Sequence, residues 1–274
     1  MTEFDVIQKT NVFQSKDTLK VQLQELGINI GDSIIVHSSL SKMGWIAGAE
    51  QAVIEALLET VTITGTIVMP AQSAANSEPS YWALPPAPEP WHQAIRDSLP
   101  AYDPHLSPLR GMGKIAECFL RHPATIRSAH PAHSFMAWGL NAEEWMREHP
   151  IESSFGLASP LGKMMQHDMK ILFIGVDYDS CTALHLSEYL ADVQNKSPQG
   201  AAMMVDGRRQ WVTFNMLDVD SDRFPEIGNA FEKDHSEHLY YGKLGQASAR
   251  VITMKPLIEF GTAWLNANPA TPEK

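Results

Sequence analysis

The sequence predicts an α/β protein with helices on both faces of a central mixed sheet. Short apolar runs that end at glycine or in small polar loops alternate with segments whose apolar residues recur at helical spacing. Asp206-Gly207 lies between two strand-like runs, which predicts an antiparallel hairpin and therefore a mixed sheet. The chain has 274 residues, 44% of them hydrophobic, with no linker or internal repeat, so we expect one domain over residues 1–274.

The first elements follow from local signals. Leucines recur on one helical face between Ser15, which can cap a first turn, and Gly27, which can end the helix. The apolar run 34–36 predicts a strand that passes into a small polar loop. A wide apolar face predicts a helix over about 49–61, and the run Thr66–Pro70 predicts a second strand.

A long proline-rich excursion occupies about residues 71–110 and contains eight of the chain's eighteen prolines. It exceeds an ordinary connection between elements, which predicts a functional lid or wall with a short helix near 91–98. Its aromatic residues could equally anchor it to the core. These residues are Tyr81, Trp82, Trp91 and Tyr102.

The remaining elements continue the alternation of helices and strands. Their predicted positions are a helix at 113–121, a strand at 134–138, a helix after Ser159-Pro160, a buried strand at 171–174, the hairpin strands 203–205 and 211–214, a last strand at 249–253 and a helix entered through Pro256.

The buried strand at 171–174 leads to the most informative candidate residue. A polar loop follows it, and Thr182 can cap a helix whose first turn holds His185. Ligands of open α/β sheets bind beyond the carboxyl ends of the strands. Imidazole titrates near neutrality and can take a proton from an amine or hydroxyl, and Glu188, on the same helix face, could orient the ring. A lone helical histidine is more often a hydrogen-bonded core residue, so this alternative stays open.

Composition excludes several classes of partner. The net charge of −11 and the lack of a basic stripe argue against nucleic acid and anionic membranes. No apolar run approaches the ~20 residues of a membrane span, and the N-terminus lacks a signal-peptide hydrophobic region, so we expect a cytoplasmic protein. Cys118 and Cys181 are expected to be reduced thiols.

The sequence lacks the motifs of nucleotide-binding proteins. True phosphate-loop spacing is absent, because five residues separate Gly156 from Gly162, and Lys163 is followed by methionine instead of serine or threonine. The Gly111-Met112-Gly113 segment does not continue as a dinucleotide fingerprint. We therefore reject nucleotide hydrolysis and a Rossmann cofactor. The polar loop after the first strand could still hold a phosphate or pyrophosphate through backbone N–H groups.

Six separated motifs together resemble the antibiotic N-acetyltransferase family, typified by the aminoglycoside 3-N-acetyltransferases. They are VHSSLSKMGWIAG, TIVMPAQS, SPLRGMGKIAECF, RSAHPAHSFMAWG, GVDYDSCTALHLSEY and GKLGQASARV, and the match runs from about Leu19 to Leu265. The resemblance implies a single domain with a fold distinct from GNAT acetyltransferases. It also implies acetyl-CoA as cosubstrate, acetylation of the 3-amino group of a 2-deoxystreptamine aminoglycoside, and antibiotic resistance.

The resemblance also implies residue roles. His185 matches the catalytic histidine, and we assign Asp218 and Glu188 to the catalytic group. Glu78 and Trp82 are candidates for acceptor binding. The positions that match the CoA cleft are Ser38, Ser39, Leu40, Arg110, Gly111, Met112, Gly113, Ser134 and Phe135. His185 is the candidate base, and backbone N–H groups near Ser38 could hold the developing oxyanion, with no metal or covalent enzyme intermediate.

Two departures from the family pattern leave a second hypothesis open. Ala74, Ala75 and Asn76 stand where close family members carry an acidic residue, and Met216 stands at another such position. These changes favour, as an alternative, an acetyl-CoA-binding homologue with a different amine acceptor or little transfer. The helix-rich surface is compatible with a monomer or a homodimer.

A metal-dependent hydrolase is a third hypothesis. It would use residues among His130, His133, His185, Asp177 and Asp179, which could converge in space. The sequence has no HExxH motif and no paired-cysteine spacing, so we expect no metal.

Overall fold

A computed structural model describes residues 2–192 and 195–269 of the chain. The strands are β1 (Ser33–Ser38), β2 (Thr66–Pro70), β3 (Ile126–Arg127), β4 (Phe135–Gly139), β5 (Met169–Ile174), β6 (Lys196–Val205), β7 (Arg208–Leu217), β8 (Leu239–Leu244) and β9 (Ala247–Thr253). The α-helices are α1 (Glu3–Lys9), α2 (Lys16–Glu25), α3 (Ala49–Val61), α4 (His92–Ser98), α5 (Gly113–Leu120), α6 (Ala142–Arg147), α7 (Pro160–Met165), α8 (His185–Leu190), α9 (Phe224–Asp234) and α10 (Met254–Ala267).

The central sheet has the strand order β3-β4-β2-β1-β5-β9-β8. Strand β1 pairs in parallel with β2 and β5, whereas β4 and β9 pair antiparallel with β2 and β5 respectively. The predicted mixed sheet is therefore confirmed. The carboxyl ends of β1, β2 and β5 meet at one edge, where a ligand site is expected.

Alternation along each strand divides the core into two layers. Ile34 and Val36 of β1 face a cluster that includes residues of α2, α3 and α5. Ile35 faces the opposite cluster, which includes residues of α6 to α10. Because successive side chains of a strand point to opposite faces, a continuous apolar run can bury both faces of the sheet. The predicted helices on both faces are confirmed.

The predicted hairpin exists, but it does not belong to the central sheet. Strands β6 and β7 form a separate two-stranded sheet, so the mixed character of the central sheet has another source, namely β4 and β9. The turn is formed by Asp206 and Gly207, with φ of 50° and 74°. Positive φ at both central residues matches the twist of a two-residue hairpin. The expectation about the hairpin's place in the sheet was wrong because the turn fixes local pairing only.

The proline-rich excursion forms a wall against this hairpin. Asn76 exchanges two hydrogen bonds with the backbone of Ala202 (3.0 and 3.1 Å), and the N–H of Tyr102 donates to the Ala202 carbonyl (2.8 Å). The Tyr102 hydroxyl also donates to the Ser128 carbonyl (2.7 Å), so this aromatic residue anchors the excursion. Tyr81 and Trp91 have exposed side chains and do not anchor the excursion to the core.

Arg127 on β3 holds the excursion to the sheet. Its buried guanidinium donates to the carbonyls of Ala71 (2.7 Å) and Ser107 (2.6 Å) and to the hydroxyls of Ser73 and Ser134. These partners come from both ends of the excursion and from the residue before β4. One side chain therefore fixes three segments that are distant in sequence.

Replacing Arg127 with methionine is expected to lower the free energy of unfolding by about 3 kcal/mol or more, because several buried acceptors lose their donor. Urea denaturation measures the change. Arg121→Met, which alters an exposed arginine near the end of α5, is the matched control. Equal stability of the two variants would contradict an anchoring role for Arg127.

Candidate active site

A cavity of about 250 Å³ lies beyond the carboxyl ends of β1, β2 and β5. We call it the central cavity. Its wall includes His37 and Ser38 from β1, Gly111 and Met112 at the end of the excursion, and His185. The loop between β5 and α8 closes one side. The sequence predicted a ligand site at this edge of the sheet, and the structure has a cavity there.

Buried contacts hold the loop that carries His185. Tyr178 is fully buried, and its ring fits against Gly228 of α9, where a Cβ atom would come within 2.1 Å of it. Arg250 of β9 pairs with Asp177 and Glu232, both at 2.6 Å, and its guanidinium lies 4.6 Å from the Tyr178 ring centroid. The loop is thus clamped from two elements.

His185 is the first residue of α8, and the expected cap by Thr182 is wrong. Thr182 begins a short 3₁₀ turn, and Leu184 precedes the helix without a side-chain cap. The helix is instead fixed by packing, since the hydroxyl of buried Ser187 donates to the Ile258 carbonyl of α10 (3.0 Å). Tertiary packing replaces the cap and places His185 at the cavity.

His185 and Glu188 form a buried dyad. Nδ1 of His185 lies 2.6 Å from Oε2 of Glu188, whose side chain is only 6% exposed. The other carboxylate oxygen of Glu188 accepts a hydrogen bond from the backbone N–H of Asp220 (2.6 Å). An N–H at Nδ1 that donates to a carboxylate leaves the lone pair on Nε2. This arrangement can act as a general base at Nε2.

For the acyl transfer that the sequence resemblance implies, replacing Glu188 with glutamine is expected to lower kcat by about 10-fold or more, with little change in KM. The carboxylate orients the ring and stabilises the imidazolium that forms when His185 takes a proton, whereas a neutral amide does so poorly. Steady-state kinetics of thiol release test this, with Glu226→Gln on α9 as control. An unchanged kcat would show that Glu188 has no part in the reaction.

Aromatic rings stack from His185 into the interior. Phe155 lies between His185 and His133, with centroid distances of 4.7 Å to each, and His130 stacks on His133 at 5.4 Å. The order His130, His133, Phe155, His185 connects residues from three segments. Sequence reasoning missed Phe155, because it lies in a turn with no motif of its own.

The stacked and neighbouring histidines are neutral. Burial, with smaller effects from His185 and His149, lowers the pKa of His133 to about 3, and burial lowers the pKa of His149 to about 4. Burial, together with His149 and His133, holds the pKa of His130 well below its ordinary value of 6.5. Desolvation disfavours the charged form of each ring.

A second cavity of about 340 Å³ lies under the β6–β7 hairpin. We call it the outer cavity. Its wall includes Ala74, His133, Gln199, Met216 and Asp218. Among its described lining residues, Asp218 is the only charged side chain. His133 lines this cavity, while His185, across the Phe155 ring, lines the central one.

The structure thus has two neighbouring cavities and the His185–Glu188 dyad. Residues 35–266 match the family described as aminoglycoside 3-N-acetyltransferase.

The chain belongs to this acetyltransferase family.

Its similarity to individual relatives extends over almost the full length. It is 39% identical over 264 residues to a protein of Bacillus subtilis, the SPbeta prophage-derived aminoglycoside N(3')-acetyltransferase-like protein YokD, covering 96% of each chain. The crystal structure of YokD superposes with a TM-score of 0.94, over 97% of this chain and 98% of that one.

Two further structures of the family contain ligands. The structure of AAC-IIIb as a binary complex with CoASH has 28% identity and a TM-score of 0.84, and covers 96% of this chain and 100% of its own. AAC-VIa bound to sisomicin has 31% identity and a TM-score of 0.83, and covers 95% and 100%. These values confirm the aminoglycoside acetyltransferase fold for this chain.

The structure brings only some of the family-implied CoA positions to the central cavity of this acetyltransferase. Ser38, Gly111 and Met112 line it. Gly111 and Gly113 have φ of 76° and 82°, and a Cβ atom added to either would meet nothing within 4 Å. The backbone of this glycine loop is therefore open to a ligand.

Other implied CoA positions point elsewhere. The N–H of Ser39 donates to the Ile174 carbonyl (2.8 Å), and Leu40 lines a separate apolar depression beside Trp45. Ser134, just before β4, and Phe135, its first residue, are fully buried, and the Ser134 hydroxyl donates to the Ala71 carbonyl (2.6 Å). None of these four residues lines the central cavity.

Arg110 and Trp82 contact each other outside the central cavity. The Arg110 guanidinium lies 6.0 Å from the Trp82 ring centroid and donates to the Leu84 carbonyl (2.9 Å). The Trp82 indole N–H donates to the Ser77 hydroxyl (3.0 Å). This pair shapes the excursion close to the outer cavity, which Ser77 lines.

Glu78 is committed to an ion pair. Its carboxylate lies 2.5 Å from the Arg96 guanidinium of α4 and also accepts a hydrogen bond from the N–H of Ser80. Burial raises its pKa, but Arg96 and Ser80 outweigh that effect and hold the pKa below 4.5. The negative charge is therefore already compensated within the protein.

The described residues offer neither a cluster of metal ligands nor a helix suited to crossing a membrane. Within 2–192 and 195–269, no three His, Cys, Asp or Glu side chains converge in a geometry that could hold a metal ion. Over the same residues, no helix has the length and apolar character that crossing a membrane requires.

Proposed function

We propose that this protein transfers an acetyl group from acetyl-CoA to an amino group, with His185 as the general base. The observation that carries the proposal is the His185–Glu188 dyad, which lies in the same cavity as Ser38 and the open glycine loop. The match to the family and the relative that contains CoASH support the choice of donor.

The residues at the cavity fit a CoA thioester. The glycine loop at Gly111 and Gly113 offers unobstructed backbone, and Ser38 offers a hydroxyl next to it. A bound acetyl-CoA would supply the activated acetyl group as a thioester. His185 would then take the proton from the attacking amine, and Glu188 would stabilise the resulting imidazolium.

The outer cavity is the proposed site of the amine acceptor, with Asp218 as its carboxylate. Asp218 in its wall is two residues before Asp220, whose N–H donates to Glu188 of the dyad (2.6 Å), and AAC-VIa binds the aminoglycoside sisomicin. An aminoglycoside amine, the 3-amino group by family, is the first candidate acceptor. Asp218 would attract a cationic group of the acceptor, in keeping with charge complementarity at binding sites.

A second candidate is an amine with fewer positive charges. The pairing of Glu78 with Arg96, together with buried Met216 and the small Ala74, leaves Asp218 as the charged side chain of the cavity. A polycationic aminoglycoside would find few anionic partners there. This observation favours an acetyltransferase that acts on a smaller or less charged amine.

The test is acceptor-dependent thiol release from acetyl-CoA with sisomicin, gentamicin and simple primary amines. Turnover of the aminoglycosides supports the first candidate, and turnover of simple amines alone supports the second.

Asp218→Asn should raise KM for the cationic acceptor by about 10-fold, while Asp222→Asn serves as the matched control. Acetyl-CoA binding without release for any amine would leave a binding homologue, and absence of acetyl-CoA binding would overturn the proposal.

A further inference from the structure

His37 is a second histidine in the wall of the central cavity. It lies near the carboxyl end of β1, only 6% exposed, and its ring stacks on Phe173 of β5 at 5.5 Å. In strand register it shares the sheet face of Ile35, which is the face packed by α8 and His185. His37 and His185 thus line one cavity from two different elements.

The Nε2 atom of His37 is buried without a hydrogen-bond partner among the described residues. Buried polar atoms in native proteins are almost always paired, and an unpaired one costs about 1–3 kcal/mol. An apolar ring of similar shape would stack on Phe173 without this cost. Packing alone therefore does not account for an imidazole in this part of the cavity wall.

The ring of His37 is uncharged. Burial, with a smaller effect from His185, lowers its pKa to about 3. A neutral imidazole carries one N–H and can donate a hydrogen bond without carrying a proton charge. Within the described residues, His37 has no hydrogen bond to a carboxylate, unlike His185 with Glu188. The two histidines are therefore equipped for different tasks, one as a base and one as a neutral donor.

We propose that His37 is a second catalytic residue, whose imidazole N–H donates to the thioester carbonyl oxygen and stabilises the oxyanion. The proposal rests on the acetyl transfer proposed above. The amine nitrogen bonds to the carbonyl carbon, the π electron pair moves to the oxygen held by His37, and His185 accepts the amine proton. The carbonyl re-forms as the carbon–sulfur bond breaks, and the sulfur takes the proton from His185.

One competing backbone donor in this region is already used. The sequence suggested backbone N–H groups near Ser38 for the oxyanion, but the N–H of Ser39 donates to the Ile174 carbonyl. His37 precedes this loop and lines the cavity directly. A donor that is fixed in place before the reaction stabilises developing charge without reorganisation, which is the usual origin of large oxyanion effects.

The test replaces His37 with phenylalanine, which keeps the stack on Phe173 and removes both ring nitrogens. We expect kcat to fall by about 10²–10³-fold with unchanged CoA affinity, the usual cost of losing one oxyanion donor. His37→Gln, which restores an N–H donor, should recover part of the loss. His235→Phe is the matched control, since His235 also stacks on a phenylalanine, Phe231, at 5.0 Å.

Infrared spectroscopy of bound [1-¹³C]acetyl-CoA tests the same contact without turnover. Wild type should shift the thioester carbonyl band to lower frequency relative to His37→Phe, because the hydrogen bond polarises the carbonyl. Equal band positions, with acetyl-CoA bound to both proteins, would overturn the role of His37 and leave the proposed function intact. Failure of wild type to bind acetyl-CoA would overturn both proposals together.

Discussion

Replacement of His185 with alanine is expected to lower kcat for acetyl transfer by about 10²–10⁴-fold while CoA affinity stays within a factor of about two. General base catalysis by a positioned side chain contributes this range. His185 has the geometry for the task, because Glu188 holds Nδ1 and Nε2 is left as the basic atom. The attacking amine must be uncharged and must lose a proton, and alanine offers no acceptor for it.

The measurement combines thiol release with calorimetric binding of CoA. His167→Ala is a suitable control, since His167 is exposed near the end of α7 and contacts Trp145 instead of the cavity. Loss of both turnover and CoA binding in His185→Ala would indicate a collapsed cavity. Full activity of that variant would eliminate His185 as the base.

Acid is expected to unfold this protein at unusually mild pH, with stability falling from about pH 6.5 downwards. Four histidines have pKa values held far below 6.5 in the folded state, chiefly by burial: His37 and His133 at about 3, His149 at about 4, and His130 well below 6.5. Each therefore stays mainly neutral in the native state as the pH falls below 6.5, whereas the same side chain gains a proton in the unfolded chain.

The sign of the effect follows from proton binding. Below pH 6.5 the unfolded state binds more protons than the native state, so the free energy of unfolding decreases as pH falls. Each histidine contributes about 1.4 kcal/mol per pH unit, so four contribute roughly 5 kcal/mol per unit at most. Typical domain stabilities are about 5–15 kcal/mol, so unfolding is expected near pH 5. The loss continues until the pH approaches the folded-state pKa values.

Urea denaturation between pH 7.5 and 5 measures this dependence. His149→Gln should reduce the slope by about 1.4 kcal/mol per pH unit, since one titrating group is removed. Carboxylates whose pKa is depressed, such as Glu78, lose their stabilising effect only below about pH 4.5, outside this window. A free energy of unfolding that stays constant from pH 7 to 5.5 would contradict neutral buried histidines.

Local spacing explains which parts of the site were predictable from the sequence. His185 and Glu188 are three residues apart in one helix, and such residues share a face whatever the rest of the fold does. The short apolar runs required burial on both sheet faces, which confined β1, β2 and β5 to the interior. The motif pattern around them indicated the acetyltransferase family, which the comparison confirmed.

Tertiary contacts decided the parts that local signals could not. The pairing of Glu78 with Arg96, the burial of Ser134 and Phe135, and the separation of the hairpin from the central sheet all depend on partners distant in the chain. The helix cap expected at Thr182 was wrong because packing on α10 positions α8. In each case a long-range contact outweighed a local preference.

The amino-acid sequence alone determined the α/β class, the order of most elements and the residue type at the proposed catalytic position, since these follow from periodicity, turn chemistry and short spacing. Only the tertiary structure placed His37 beside His185 and left Asp218 as the charged group of the outer cavity. Segments far apart in sequence must pack together before these side chains are buried or lie near one another. That packing sets their charge state and their hydrogen bonds.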